Sequence, residues 1–261
     1  MNIFKLSKLR PRILENQKLK VTKLGFSSRR SSGVSSIQTP ITKEFLQRHL
    51  TETRCHLTPE LNLHLLTPSC PLYSAPATSS SLSDPWWSIF WPGGQVLART
   101  ILDSQHLVRN KHVLDLGSGC GAVAIAAMVA GAASVVANDI DPDAAVAVLA
   151  NAELNKITGE IITDTTNILE GNLDALQNID VLLIGDMFYD EHIGGDVLNL
   201  CRKFKAMDSS KDILMGDPGR WFLETNQEVD TLFWSISKYS LGEECKKENY
   251  GFHQGIVWKF K

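Results

Sequence analysis

The 261-residue sequence is 43% hydrophobic and 21% charged, which allows one substantial core and one catalytic domain with extensions. A net charge of −3 over that length excludes capture of nucleic acid or an anionic membrane by the whole surface, so neither is expected as a partner and any charge argument has to be local. Five scattered cysteines, Cys55, Cys70, Cys120, Cys201 and Cys245, form no C-x-x-C pair and leave one over, which argues against a disulfide framework or zinc site and for a reducing compartment.

Residues 1–36 carry Lys5, Lys8, Arg10, Arg12, Lys18, Lys20, Lys23, Arg29 and Arg30 against a single acid, Glu15, and end in the serine-rich SSRRSSGVSS. With Ile3, Phe4, Leu6 and Leu9 available for an apolar helix face, this is the composition of a mitochondrial transit peptide; a basic tail without an address is the plainer alternative. Residues 37–105 read as a helical extension and an aromatic lid segment, and residues 106–261 as the catalytic domain. In the extension, ITKEFLQRHL and TPELNLHLL are predicted helices, the second with Thr58 as N-cap and Pro59 at the first helical position. A loop rich in Pro, Ser and Thr follows from Thr67 to Ser83, and then Gly93 and Gly94 lead into a helix carrying Val96, Leu97, Ile101 and Leu102.

From His112 short apolar strands alternate with helices: VLDLG, a helix from Gly121, SVVAND, a helix from Pro142 to about Asn155, EIITD, IDVLLIGD, a helix near Ile193 to Phe204, and DILMGDP. The run from Ala122 to Ala137 is too short to span a bilayer and is broken by Gly131 and Ser134, so it reads as a buried helix followed by a buried strand. A helix from Val229 to Ile236 is expected next, then KYSLGEEC and GIVWKF as an antiparallel edge pair. The fold class is therefore α/β and Rossmann-like: a seven-stranded, mostly parallel sheet with helices on both faces, whose ligands lie beyond the carboxyl ends of the strands.

The first of these strands ends in a glycine turn, Gly117, Ser118, Gly119 and Gly121, and the second in Asp139 and Ile140, where a ribose-binding acid sits. Asp115, immediately upstream of the glycines, repels a pyrophosphate and attracts the amino group of a methionine moiety. The third glycine also comes one position early for G-x-G-x-x-G, and together these features favour S-adenosyl-L-methionine over a nicotinamide dinucleotide. Cys120 in the same turn reads as a small buried side chain.

The fourth strand ends in GDMFYDE, placing Asp186 and Tyr189 beside the cofactor and the incoming substrate. Methyltransferases of planar amides and base amines carry D/N-P-P-Y/F here; D-M-F-Y lacks the prolines, and its acidic and phenolic oxygens suit a lysine amine that must line up, neutral, behind a methyl sulfonium. An acidic loop that merely caps the next helix is the alternative. The aromatics Trp86, Trp87, Phe90 and Trp91 could wall the site or be ordinary core, and Asp217, Gly219 and Arg220 read most simply as a turn.

DPWWSIFWPGGQ, VLDLGSGCGA, ANDIDP, GDMFYDE and GDPGR, in this order from about Leu57 to Arg220, resemble the seven-strand protein-lysine methyltransferase family. The resemblance implies a protein substrate, the beta subunit of electron transfer flavoprotein, methylated on lysines in the mitochondrial matrix; separately, a monomer is expected. It also implies cofactor contacts at Trp91, Asp115, Gly117, Asp139 and near Asn167, with Asp186 and Tyr189 as catalytic residues. The sequence before Leu57 and after Arg220 carries little of it. A methyltransferase of a small molecule or amide, and a cofactor-binding module without activity, are the competing readings.

Overall fold

The computed structural model describes residues 41–74, 85–171, 173–243, 245 and 251–261. The expected transit segment and most of the loop before Ser83 lie outside these residues. Among the described residues, no helix is long and apolar enough to cross a membrane.

Seven strands form the central sheet: β3 (His112–Leu116), β4 (Ser134–Asn138), β5 (Glu160–Asp164), β6 (Val181–Gly185), β7 (Asp212–Asp217), β8 (Phe233–Ser240) and β9 (Gln254–Phe260). Their order is β5-β4-β3-β6-β7-β9-β8. The first five run parallel, and β9 lies antiparallel between β7 and β8. The chain winds outward from β3 to β5, returns to β6 beside β3, and winds the other way; the reversal between β3 and β6 is where such sheets open a crevice at their carboxyl ends.

Strand periodicity divides the core into two layers. Val113, Val181, Leu183 and Leu214 face α2 (Pro92–Asp103), α3 (Ala122–Val129) and part of α4 (Pro142–Leu154). Leu114, Leu116, Leu182, Ile184, Ile213 and Met215 face α5 (Glu191–Met207) and the short helices α6 (Trp221–Thr225) and α7 (Val229–Leu232). Apolar residues therefore run unbroken along the central strands, as burial on both faces requires.

The α2 helix packs unusually close to the sheet. A Cβ on Gly93 would stand 2.7 Å from the Asp186 amide nitrogen and collide with the Gly216 carbonyl, while a Cβ on Gly185 would come within 3.1 Å of Gly94 Cα. Gln95 fixes the approach, its Nε2 donating to Phe90 O at 2.8 Å and its Oε1 accepting from Leu57 N at 3.1 Å. WPGGQ, IGD and MGD are thus three parts of one contact.

The extension folds partly as expected. The helix predicted in ITKEFLQRHL is α1 (Lys43–His49), capped by Thr42, with Leu46 and Leu50 packed on Ala144, Ala147 and Ala150 of α4. The helix predicted in TPELNLHLL does not form. Leu63–Leu65 is strand β2, paired with β1 (Thr51–Thr53), and Asn151 on α4 with Asn155 at its C-cap hold its other edge and the residue before it. Asn151 accepts from His64 N at 2.8 Å, and Asn155 accepts from Asn62 N at 2.8 Å while donating to Asn62 O at 2.6 Å. That satisfied edge outweighs the local helical pattern. The helix expected from Val229 to Ile236 stops at Leu232, because Phe233 onward pairs with β9; of KYSLGEEC only Lys238, Tyr239 and Ser240 belong to β8.

Gly93→Ala is expected to destabilise the fold by about 3 kcal/mol through overpacking, lowering the thermal midpoint by roughly 6–12 °C. A thermal melt checks this against Gly195→Ala, whose added methyl meets nothing within 4 Å.

Candidate active site

The turn after β3 runs through Gly117, Gly119 and Gly121 with φ of 67°, 50° and 81°. All three lie in the left-handed region, which is why glycine is required there. A Cβ on Gly117 would strike the Met187 sulfur, and one on Gly121 would lie 3.0 Å from Val148 Cα. Between them Ser118 N donates to Asn138 O at 2.9 Å, tying the turn to the end of β4. The Ser118 hydroxyl is buried with no hydrogen-bond partner, a donor left over for a ligand.

Asp115 projects from β3 beneath this turn, 1% exposed, and accepts from Ala124 N at 3.0 Å in the first turn of α3. That helix has no side-chain cap of its own, since Gly121 occupies the cap position. Burial pushes the Asp115 carboxyl up to about 8, and the charge of Asp139 adds to the rise. Asp139 accepts from Gly119 N at 2.9 Å and Asp141 N at 3.0 Å, and its carboxyl is likewise raised by burial. Among the described residues no Lys or Arg is paired with either group. Beside them Ile140 is 69% exposed, an apolar side chain standing in the crevice. Asn138 Nδ2 reaches Asp164 Oδ2 and Thr166 O, bracing the end of β5, and the exposed Asn167 accepts from Leu169 N at 3.2 Å in the turn beyond. Cys120, buried and with its thiol pushed up to about 12, packs and does not attack.

On the substrate side, Asp186 sits at φ 61°, a backbone strain that turns its carboxylate inward. Oδ2 accepts from Gly93 N at 2.7 Å, capping α2 in place of a side chain at Trp91; Oδ1 pairs with Arg220 Nε at 2.6 Å. The Asp186 side chain is 1% exposed, its two oxygens turned to Gly93 N and Arg220 Nε. Asp190, not Asp186, is the helix cap in this loop, accepting from His192 N and Ile193 N. Phe188 is wholly buried, and Tyr189 is half-exposed with its phenol pushed up to about 12 by burial and by the charges of Asp139, Asp190 and Asp186. Tyr189 therefore keeps its proton near neutral pH.

Arg220 is the residue the sequence concealed. It reads as part of a turn, and the turn is present, with Gly219 at φ 97° and Asp217 Oδ1 accepting from Gly219 N and Arg220 N at 2.7 Å. The side chain, however, folds inward: its guanidinium lies 5.7 Å from the Trp91 ring and 5.0 Å from the Phe252 ring while it pairs with Asp186. Asp217 is buried with Oδ2 unpartnered, and burial plus the charge of Asp186 push it up to about 7. The aromatic cluster divides: Trp87 and Phe90 are core, whereas Trp86 and Trp91 are only partly buried, 5.9 Å apart, at the mouth of the crevice.

Three buried carboxylates, Asp115, Asp186 and Asp217, with Asp139 beside them, thus meet one guanidinium. The crevice is short of positive charge, and a ligand bearing an ammonium and a sulfonium fits it where a diphosphate does not. Fold and site together define a Rossmann-like methyltransferase that uses S-adenosyl-L-methionine.

The comparisons narrow the class. Residues 96–184 match the family model of ribosomal protein L11 methyltransferase (PrmA). The Homo sapiens electron transfer flavoprotein beta subunit lysine methyltransferase is 41% identical over 230 residues, covering 88% of this chain and 86% of the relative. The Caenorhabditis elegans homolog is 34% identical, covering 78% of this chain and 90% of the relative. Among solved structures, a ribosomal protein L11 methylase from Lactobacillus delbrueckii subsp. bulgaricus is similar at 22% identity and a TM-score of 0.43, covering 63% of this chain and 77% of that one. The chain belongs to the electron transfer flavoprotein beta subunit lysine methyltransferase family and is a protein-lysine methyltransferase. The similarity over 230 residues reaches well beyond the stretch from Leu57 to Arg220 that carries the motifs.

Asp115 holds its proton up to about pH 8 when folded and releases it near its ordinary 3.8 when unfolded. Between those values the folded chain binds the extra proton, so the Asp115 contribution to stability falls as pH rises and the loss is complete only above about 8. Asp115→Asn, which does not titrate, should gain stability relative to wild type from pH 5 to pH 8.5 without cofactor, read as the denaturant midpoint at each pH. Parallel curves would show the carboxylate to be charged throughout.

Proposed function

We propose that this chain transfers a methyl group from S-adenosyl-L-methionine to lysine side chains of the beta subunit of electron transfer flavoprotein. In this reading it acts as a monomer in the mitochondrial matrix, reached by means of residues 1–36. The observation that carries the proposal is the set of buried carboxyl groups in the crevice, Asp115, Asp186 and Asp217, which suits a cationic cofactor. The names of the relatives supply the substrate.

When bound, the cofactor supplies a methyl group on a sulfonium; the rest of the work falls to the chain. Asp115 receives the amino group of the methionine moiety, and Gly117, Ser118, Gly119 and Gly121 let the backbone close on it, with the free Ser118 hydroxyl as donor. Asp139 would hold the ribose hydroxyls, and Ile140 and Asn167 would line the adenine side. Trp91 covers the crevice mouth, steadied by Arg220.

A lysine amine must lose its proton before it attacks. Tyr189, protonated and at the rim, offers its phenolic oxygen as an acceptor that orients the amine. The positive charge expected beside the amine lowers its proton affinity, and with the proton leaving to water no strong base is required. Asp186 acts one step back, fixing α2 and Arg220 around the transfer point.

The test is to supply labelled S-adenosyl-L-methionine with purified electron transfer flavoprotein or with the small-molecule fraction of a mitochondrial extract. Label is expected on lysines of the beta subunit and absent from the small molecules; the reverse would contradict the proposal. Asp139→Ala should weaken cofactor binding at least tenfold by calorimetry, and unchanged affinity would remove Asp139 from the ribose.

A further inference from the structure

The loop after β6 and the short helix after β7 are locked together by one aromatic contact. Phe188 and Phe222 stack at 5.8 Å with an interplanar angle of 12°, and Gly194 makes room for the second ring, where a Cβ would lie 2.6 Å from it. Phe188 is completely buried. Their chain neighbours are turned outward as a consequence: Tyr189 is 50% exposed and Trp221 66% exposed, on the same strand-end edge and on either side of the inward-folded Arg220. A tryptophan with two-thirds of its surface in water beside a catalytic crevice gains nothing from the fold, and tryptophan and tyrosine are the residues that most often anchor interfaces.

The two stretches of chain that carry this pair are acidic. Residues 186–201 contain Asp186, Asp190, Glu191 and Asp196 and no Lys or Arg; residues 221–237 contain Glu224, Glu228 and Asp230 and again no Lys or Arg. Arg220 is consumed by Asp186, Arg202 from farther along α5 pairs with Glu228, Lys261 donates to Asp230 O at 2.8 Å at the far end of the second stretch, and His192 stands 3.8 Å from Asp196. Glu191 and Glu224 remain exposed at the front of the two helices.

We infer that Trp221 and Tyr189, flanked by Glu191 and Glu224, form the docking surface for a basic, lysine-bearing segment on the surface of the protein substrate. Aromatic faces accept the aliphatic stems and ammonium heads of lysines, and the carboxylates complete the match for neighbouring cations. A second copy of this chain is a poor occupant, because a two-fold contact would set acidic rim against acidic rim. A small molecule needs no surface of this width.

The inference rests on the protein-lysine reading above, and steady-state methylation of purified electron transfer flavoprotein by the full chain tests it. Trp221→Ala and Glu191→Lys should each raise KM for the flavoprotein at least fivefold. In both, kcat and the KM for S-adenosyl-L-methionine should stay within twofold of wild type, and Trp221→Phe should recover part of the loss. Damage to the fold would instead depress kcat and cofactor affinity together, and that pattern would overturn the docking assignment, as would a flavoprotein KM within twofold of wild type in either variant. If the wild-type chain transfers no methyl group to the flavoprotein, the substrate reading falls and this inference falls with it. Activity in the wild type with unchanged KM in a variant removes the docking surface alone.

Discussion

The crevice at the carboxyl ends of β3, β6 and β7 holds more buried carboxyl groups than cationic side chains among the described residues. Asp115, Asp186 and Asp217 are buried, and the single guanidinium of Arg220 serves Asp186 alone by direct contact. Burying an uncompensated carboxylate is costly, and the chain limits the cost by taking up protons, which is why Asp115 and Asp217 are pushed up to about 8 and about 7. A ligand that brings positive charge replaces those protons. The same imbalance favours a cofactor that carries positive charge.

The geometry that makes this possible is the close approach of α2 to the sheet. Gly93 and Gly94 at its start meet Gly185 and Gly216 at the ends of β6 and β7, so the amide of Gly93 reaches the Asp186 carboxylate directly. The helix dipole and the Arg220 pair then hold one carboxylate from two sides. Because Trp91 precedes this helix and Tyr189 follows Asp186, the residues proposed to cover the cofactor and to orient the amine hang from a single contact. A disturbance there would reach both substrates at once.

Much of this was legible in the sequence where the cause is local. The glycine turn declares itself because three left-handed positions within five residues tolerate little else, and the parallel strands because burial on both faces leaves unbroken apolar runs. The positions of Asp115 and Asp139 follow from that turn. Features whose cause lies far along the chain were not legible. Leu63–Leu65 is a strand because Asn151 and Asn155, nearly ninety residues later, satisfy its edge. Phe233 begins a strand because β9 inserts beside β7. Arg220 looks like a turn residue until its partner, 34 positions earlier, is brought to 2.6 Å. For the same reason the contacts of Asp186 with Gly93 N and Arg220 Nε are not legible from the strand end that carries it.

The central claim, that uncompensated buried carboxylate selects a positively charged ligand head, is tested most directly by calorimetric titration at pH 8 with S-adenosylhomocysteine and with its deaminated analogue. The two differ only in the amino group that Asp115 is proposed to receive. Loss of that group should weaken binding at least a hundredfold. Equal affinity for the two ligands would mean that Asp115 plays no part in recognition, and the account would fail.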